Sequence, residues 1–444
     1  MSKTKKRTQL AWTILLGGAA TLLAAPAFGQ GLGNSPYSRV GLGDYTGNVG
    51  GVRQLGMGGV GLAAPNTGNV NELNPALLVY LPRTTYEAAF DAQVKTVRNA
   101  DASHRTGTGT LGYLALALPL STRWGAAVGL KPFSTVDYGS ATTDLVPNDP
   151  NGGIAFKRLK GAGGLSEAYF AHGVHVLRDL NLGVSASYLF GTVEQSSGTA
   201  VSTPTFTQQL VVDEETLRYS DFLFRVAGQY RHKLGKDLNV NLAAVHTFGT
   251  SVRTTRQRNQ QRLDGNGAVV GTPTLLGEDA GYTALPARTQ LGLTFDNGRN
   301  WTASLDGAVQ QWSKFQPFSQ LTEANLSDTW RVAAGGELTP DPTSIEHYRQ
   351  RVTYRVGLSL AQLPYAPAGQ RLYDRAVHWG FAFPLPTSSA LESTTISLAF
   401  IYGLRGNTSY LPDNSGASNV QESYVRMQVG ATLSNRWFIK RRLQ

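Results

Sequence analysis

The 444-residue sequence contains no cysteine, so no disulfide, thiolate nucleophile or cysteine-held metal enters its chemistry. Charge is scarce too. Asp, Glu, Lys and Arg make up 16% of the chain, against about 25% in soluble domains. Beyond the N-terminus no apolar run approaches the ~18 residues of a membrane helix, although mean hydropathy is only −0.20. Helical membrane spans are thereby excluded. What the chain has instead is glycine, 50 residues of it, and many short alternating segments.

The opening, MSKTKKRTQLAWTILLGGAATLLAAPAFGQ, sets four cations (Lys3, Lys5, Lys6, Arg7) before an apolar run from Leu10 to Ala25 and a small-x-small site at Ala27-Phe28-Gly29. This is the pattern of a secretory signal over residues 1–29, with the mature chain starting near Gln30. Losing those four cations lowers the formal net charge from +10 to +6. Much of what is left sits in the terminal Lys440, Arg441 and Arg442, so no basic face for nucleic acid is expected. For an exported chain poor in charge and without helical spans, the closed β-barrel is the remaining membrane architecture. Lipid offers no partner to an open backbone edge.

The hexapeptide GMGGVG satisfies the spacing Gly56-x-Gly58-x-x-Gly61 of a dinucleotide-binding turn. That chemistry needs a preceding strand, a following helix and an acid about 20 residues on. Pro65, Gly68 and Pro75 interrupt any helix here, and the nucleotide reading fails.

Period-two alternation is widespread. Val425, Met427, Val429, Ala431 and Leu433 alternate with Arg426, Gln428, Gly430, Thr432 and Ser434; Val352 to Leu360 repeat the pattern against Arg351, Thr353, Arg355, Gly357 and Ser359. Each run suits the 9–11 tilted residues that cross a bilayer, with the apolar set expected toward lipid. Trp124, Trp301, Trp330, Trp437 and Phe438 lie near run ends, where interfacial belts form. Fourteen strands are expected, near 84–98, 109–121, 124–138, 166–177, 180–195, 220–234, 237–250, 286–296, 300–315, 329–340, 351–364, 373–385, 394–406 and 422–438. Connections alternate between mostly long polar loops (99–108, 139–165, 196–219, 251–285, 316–328, 365–372, 407–421) and tight turns such as Ser121-Thr122-Arg123 and Arg178-Asp179, with two longer exceptions on the turn side at 341–350 and 386–393. Sorting of loops by side is the mark of an outer-membrane barrel, with its turns in the periplasm. The expected fold is therefore all-β, a transmembrane antiparallel β-barrel of about fourteen strands over residues 84–444. Inward arginines Arg225, Arg351, Arg355 and Arg426 are expected to pair with carboxylates or to line a polar lumen, and only as a second choice to grip a ligand headgroup.

No catalytic constellation emerges. His172 and His175 are three apart on a strand and face opposite sides; Asp213-Glu214-Glu215 lies in an expected external loop without ligand spacing. No G-x-S-x-G turn is present. No enzyme activity, cofactor or metal is expected.

Residues 30–83 precede the first strand and carry Leu73, Leu77, Leu78, Val79 and Leu81 around an Asn-Pro turn. The segment is too apolar for a solvated tail, so it is expected as a hatch in or across the periplasmic mouth. Here NSPYSRVGLGD, LGMGGVGLA, NELNPALL and the ending WFIKRR together resemble the Bacteroidetes branch of the FadL/TodX family. The resemblance implies passive uptake of hydrophobic small molecules across the outer membrane through a plugged fourteen-stranded barrel. It also implies that Asn74-Pro75-Ala76 is a hatch motif and that Gly56, Gly58 and Gly61 let the plug turn against the wall. It further implies an inward kink in the third strand that opens sideways to the membrane. Pro132, which has no N–H for a ladder, is the residue suited to that role, with the break expected over Leu130, Lys131, Pro132, Phe133 and Ser134. The implied partners are membrane lipid and an apolar ligand; the alternative is a FadL-like barrel that serves a type IX secretion system by binding secreted proteins.

Overall fold

A computed structural model describes residues 35–39, 41–45, 50–146, 153–202, 210–264, 268–319, 321–322, 325–387, 392–412 and 418–435. The expected signal segment 1–29 and the aromatic pair Trp437 and Phe438 lie outside the described residues.

Fourteen antiparallel strands close a barrel. They are β1 (Thr84–Arg98), β2 (Ser103–Ser121), β3 (Trp124–Leu145), β4 (Ile154–Leu177), β5 (Leu180–Ser202), β6 (Leu210–Lys233), β7 (Asn239–Thr247 and Thr250–Leu263), β8 (Thr274–Leu285 and Arg288–Asp296), β9 (Trp301–Gln310), β10 (Thr329–Leu338), β11 (Thr353–Gln362), β12 (Tyr373–Leu385), β13 (Ser393–Gly406) and β14 (Gln421–Asn435). Pairing of β14 with β1, from Gln421 opposite Arg98 to Asn435 opposite Thr84, joins the ends and closes the circuit. Both chain ends of the strand circuit fall on the side of the tight turns.

Alternation places the two faces as the sequence implies. On β8, Leu291 is 62% exposed to the outside while its neighbour on the inward face, Thr294, is fully buried; on β11, Val356 is 61% exposed. On β14, Val425 and Leu433 face outward, and Gln428 faces inward, buried and donating to Asp91. Arginine in place of Val429, midway along that strand, is accordingly expected to cost about 2–4 kcal/mol, read as a lowered urea midpoint for refolding into vesicles. A midpoint equal to wild type would place Val429 off the lipid face.

One half of the barrel is tall. β4 and β6 run for 24 residues each, whereas β9, β10 and β11 have 10. This corrects the expectation of loops over 139–165, 196–219 and 251–285, which are largely strand, and of Asp213 to Glu215 as a loop cluster, since they lie on β6. The apolar belt ends at Phe190 and Phe222; the next outward positions are Thr192 and Glu194 on β5 and Ser220 and Arg218 on β6, all exposed. Above that level the outward positions turn polar and the inward ones, Val193, Leu217 and Tyr219, are the apolar buried set, while backbone pairing continues.

β7 and β8 are interrupted together, at Phe248–Gly249 and at Pro286–Ala287. Pro286 has no N–H to donate, and the ladder breaks there. The break flips the inward register of β7, from Asn241, Ala243 and Val245 below it to Val252 and Thr254 above. The upper wall then packs its inner face on the connection between β9 and β10: Trp312, Phe315 and Leu326 join Val136, Leu217, Tyr219 and Val252 in one buried cluster. This folded connection covers the wall from within. At the far edge of the wall Arg256 grips Asp279 through two hydrogen bonds of 2.9 and 2.6 Å, and this holds the Asp279 carboxyl below its ordinary range.

Candidate functional site

Residues 50–83, the described part of the expected hatch segment, lie mostly buried in the lower lumen. A five-residue helix, α1 (Val52–Gly56), leads into Gly58, Gly59 and Gly61, all at positive φ, a region open to glycine. Val52, Leu55, Met57, Val60 and Leu62 are buried. Asn74 caps the following 3₁₀ turn, Pro75–Tyr80, accepting at 2.9 Å from the Ala76 N–H, and its amide donates to the Leu62 carbonyl at 2.8 Å. Gly56, Gly58, Gly61, Asn74, Pro75 and Ala76 are thus brought together as one buried layer.

The wall is cut to receive this layer. Gly335 on β10 and Gly357 on β11 lie directly opposite each other. A Cβ at Gly335 would sit 2.0 Å from the Met57 carbonyl oxygen, and one at Gly357 would sit 2.2 Å from the Met57 carbonyl carbon. On the other side Gly125, Gly173 and Gly183 face the backbone of Pro75 to Leu78 just as closely. Backbone against backbone leaves no room for a methyl group.

Polar contacts fasten the layer. The Asp306 carboxylate accepts from the N–H groups of Gly61 and Leu62 at 2.8 and 2.9 Å. Arg331 donates to the Gly58 carbonyl, and His378 Nδ1 lies 2.9 Å from the Leu55 carbonyl oxygen. Arg53 on α1 meets Glu337 at 2.6 Å, and Glu337 also accepts from Arg355 at 3.1 Å. Alternation put Arg225, Arg355 and Arg426 inside, where Arg426 makes a two-point contact with Asp91 at 2.8 and 2.9 Å. Arg351 departs from its expected place: β11 begins at Thr353, and Arg351 ends a short helix on the turn side with its guanidinium over the Tyr348 ring. Arg53, Asp306, Arg331 and Glu337 went unnoticed in the sequence. Inward parity of an acid within a ten-residue strand was the one signal available for Asp306 and Glu337.

A second lumenal piece, residues 35–39 and 41–45, lies higher. Asp44 and Tyr45 pair with Thr135 and Ser134 of β3, the Ser35 N–H donates to the Asp137 carbonyl at 2.7 Å, and Arg405 holds Asp44 at 2.6 Å. These contacts occupy an edge that β2 leaves free. The β2–β3 ladder runs from Ser121 opposite Trp124 to Leu114 opposite Leu130 and ends there, while β3 continues paired to β4 with a bulge between Pro132 and Ser134. Lys131 turns inward to Glu72 at 3.2 Å, and Phe133 packs edge-on against Tyr45 at 5.2 Å. Between the separated strands a cavity of about 20 Å³ is lined by Thr110, Gly112, Lys131 and Pro132 together with Glu72 of the hatch segment.

A larger cavity, about 250 Å³, lies between this upper lumenal piece, through Tyr37, Gly43, Asp44 and Tyr45, and the short side of the barrel. Its lining is strongly charged: Asp44, Lys95, Arg288, Arg331, Asp374 and Arg405 all reach it. Elsewhere His172 accepts from Trp124 at 3.0 Å and His175 meets Asn181 at 2.6 Å, so each histidine has its own partner. Among the described residues no group of three His, Asp or Glu is placed to hold a metal ion.

A protein-family model described as BamG matches residues 13–444. The fold is similar to that of the CymD monoaromatic hydrocarbon channel, at 16% identity and a TM-score of 0.56 over 88% of this chain and 99% of that one. It is similar also to the Pseudomonas putida toluene transporter TodX, at 16% identity and 0.55 over the same shares. A Pseudomonas aeruginosa FadL homologue matches at 10% identity and 0.57 over 87% of this chain and 98% of that one. No curated protein sequence matches the chain.

Proposed function

The chain belongs to the BamG family, and from that premise we propose that it is an outer-membrane channel for hydrophobic small molecules, with the parting of β2 and β3 as their sideways exit. The observation that carries this reading is the ladder ending at Leu114 and Leu130. Unpaired backbone within a membrane wall is costly unless protein or a cavity takes it up. Here Asp44 and Tyr45 cover the β3 edge from inside. An apolar molecule leaving between the strands would enter the lipid without crossing the headgroups. Likeness to barrels described as hydrocarbon and toluene transporters agrees with such a route. The ion pair of Lys131 with Glu72 stands in the gap, so passage requires the hatch segment to shift. This reading asks no catalysis of the chain.

The absence of native cysteine makes the test clean. Thr110→Cys and Pro132→Cys, both lining the gap, are joined by a short thiol cross-linker in intact cells. Uptake of a long-chain hydrophobic probe is expected to fall at least tenfold on cross-linking and to recover with a cleavable linker. Unchanged uptake with the barrel intact rejects the sideways route.

One observation favours a second reading, a barrel that binds other proteins for secretion or assembly. The tall wall is one-sided and stands clear of the lipid belt, while a folded connection and the fastened hatch segment close the lumen. Cross-linked proteins recovered from the upper wall, together with unchanged probe uptake, would decide for it.

A further inference from the structure

Arg288 opens the lower segment of β8, just after the Pro286–Ala287 interruption, and its side chain reaches both the large cavity and a neighbouring one of about 40 Å³. The charges around the large cavity are distributed unevenly. On the β12–β14 side every carboxylate is engaged: Asp44 and Asp374 by Arg405 at 2.6 and 3.3 Å, Glu422 by Lys95 at 3.3 Å, and Asp91 by Arg426. On the β8 side Arg331 is turned to the carbonyls of Gly58 and Gly59, and Arg225 to Glu167 at 3.7 Å. Among the described residues Arg288 alone of these has neither an ion pair nor a side-chain hydrogen bond, and the charges that act on it most strongly are the cations Arg331 and Arg225.

A guanidinium carries five N–H donors in a planar fork that matches an oxyanion. Half-buried in the lumen and placed beside like charges, it favours a counter-anion at its open face. Around it stand the Gln290 amide, the Gln310 amide, which also donates to the Pro286 carbonyl at 3.4 Å, the Thr247 hydroxyl, which accepts from Arg225 at 3.4 Å, and the Glu167 carboxylate that Arg225 holds. We propose that Arg288, backed by Arg331 and Arg225, seats a compact oxyanion in the lumen, a phosphate or the phosphate or sulfate group of an amphiphile. The site is independent of passage between β2 and β3, and its test reads binding rather than uptake.

Purified protein in a non-ionic detergent is titrated with inorganic phosphate at constant ionic strength, following the thermal midpoint and heat of binding. Wild type is expected to show saturable binding and a midpoint that rises with phosphate. Arg288→Gln is expected to weaken binding at least tenfold, Arg288→Lys to retain part of it, and Arg351→Gln, on the turn side, to leave it unchanged. Heat-modifiable mobility on gels verifies that each barrel is folded. Native mass measurement of protein extracted in mild detergent distinguishes the source. An added mass lost in Arg288→Gln identifies an amphiphile headgroup, and a bare wild-type chain that binds phosphate assigns the free anion. No saturable binding and no added mass in wild type, or either signal undiminished in Arg288→Gln, overturns the proposal; should that variant not fold, Arg288→Lys and wild type carry the comparison.

Discussion

Replacing Glu337 by Ala is expected to release the hatch segment while the barrel stays closed. Glu337 lies between two buried guanidiniums, Arg53 of α1 and Arg355 of β11, with side chains 2% and 3% exposed. Removing the carboxylate leaves two like charges facing each other in a poorly solvated space. Breaking a buried pair from one side typically costs about 3–5 kcal/mol, because the remaining charge is uncompensated. The barrel ladders do not depend on this contact; the seat of α1 does. Trypsin should therefore cut within residues 50–83 of Glu337→Ala, after Arg53 above all, while the folded barrel keeps its gel mobility. Glu337→Gln, which keeps an acceptor, should fall between the two. Equal protection of wild type and Glu337→Ala would mean that the layer is held by apolar packing and its glycine contacts alone.

The second large effect is steric. A Cβ on Gly357 would lie 2.2 Å from the Met57 carbonyl carbon and 2.4 Å from the Gly58 nitrogen, and its cross-strand partner Gly335 is as tight. The atoms met are backbone and cannot swing aside as a side chain would. Gly357→Val is thus expected to cost at least the upper end of the ~1–3 kcal/mol of an overpacked core, all of it borne by the hatch segment lifting from the wall. In proteoliposomes the lifted layer should raise entry of a small hydrophilic dye severalfold. Gly307, which has open space around its Cβ position, is the matched control, and Gly307→Val should leave dye entry near wild type. A tight Gly357→Val barrel would show that β10 and β11 can yield instead.

The spans were legible because their cause is local. Where one face meets lipid and the other the lumen, side chains alternate with period two, and the tight turns are written in their own few residues. Those signals alone determined the fourteen crossings and the side on which the turns lie. They also set their own limit. On the upper wall the outward positions turn polar, so Asp213 to Glu215 and Arg253 to Arg262 read as loop although they pair as strand. Arg351 was misplaced for a related reason: alternation carries no mark of where a strand hands over to a turn. Only the tertiary structure decided which half of the barrel is tall and which charges meet. Arg53 and Glu337 are 284 residues apart, and the glycine gap at 335 and 357 has meaning only once Met57 lies in it. Such contacts follow from closing the barrel around a segment that no neighbouring residue specifies, and period and propensity carry no information about them.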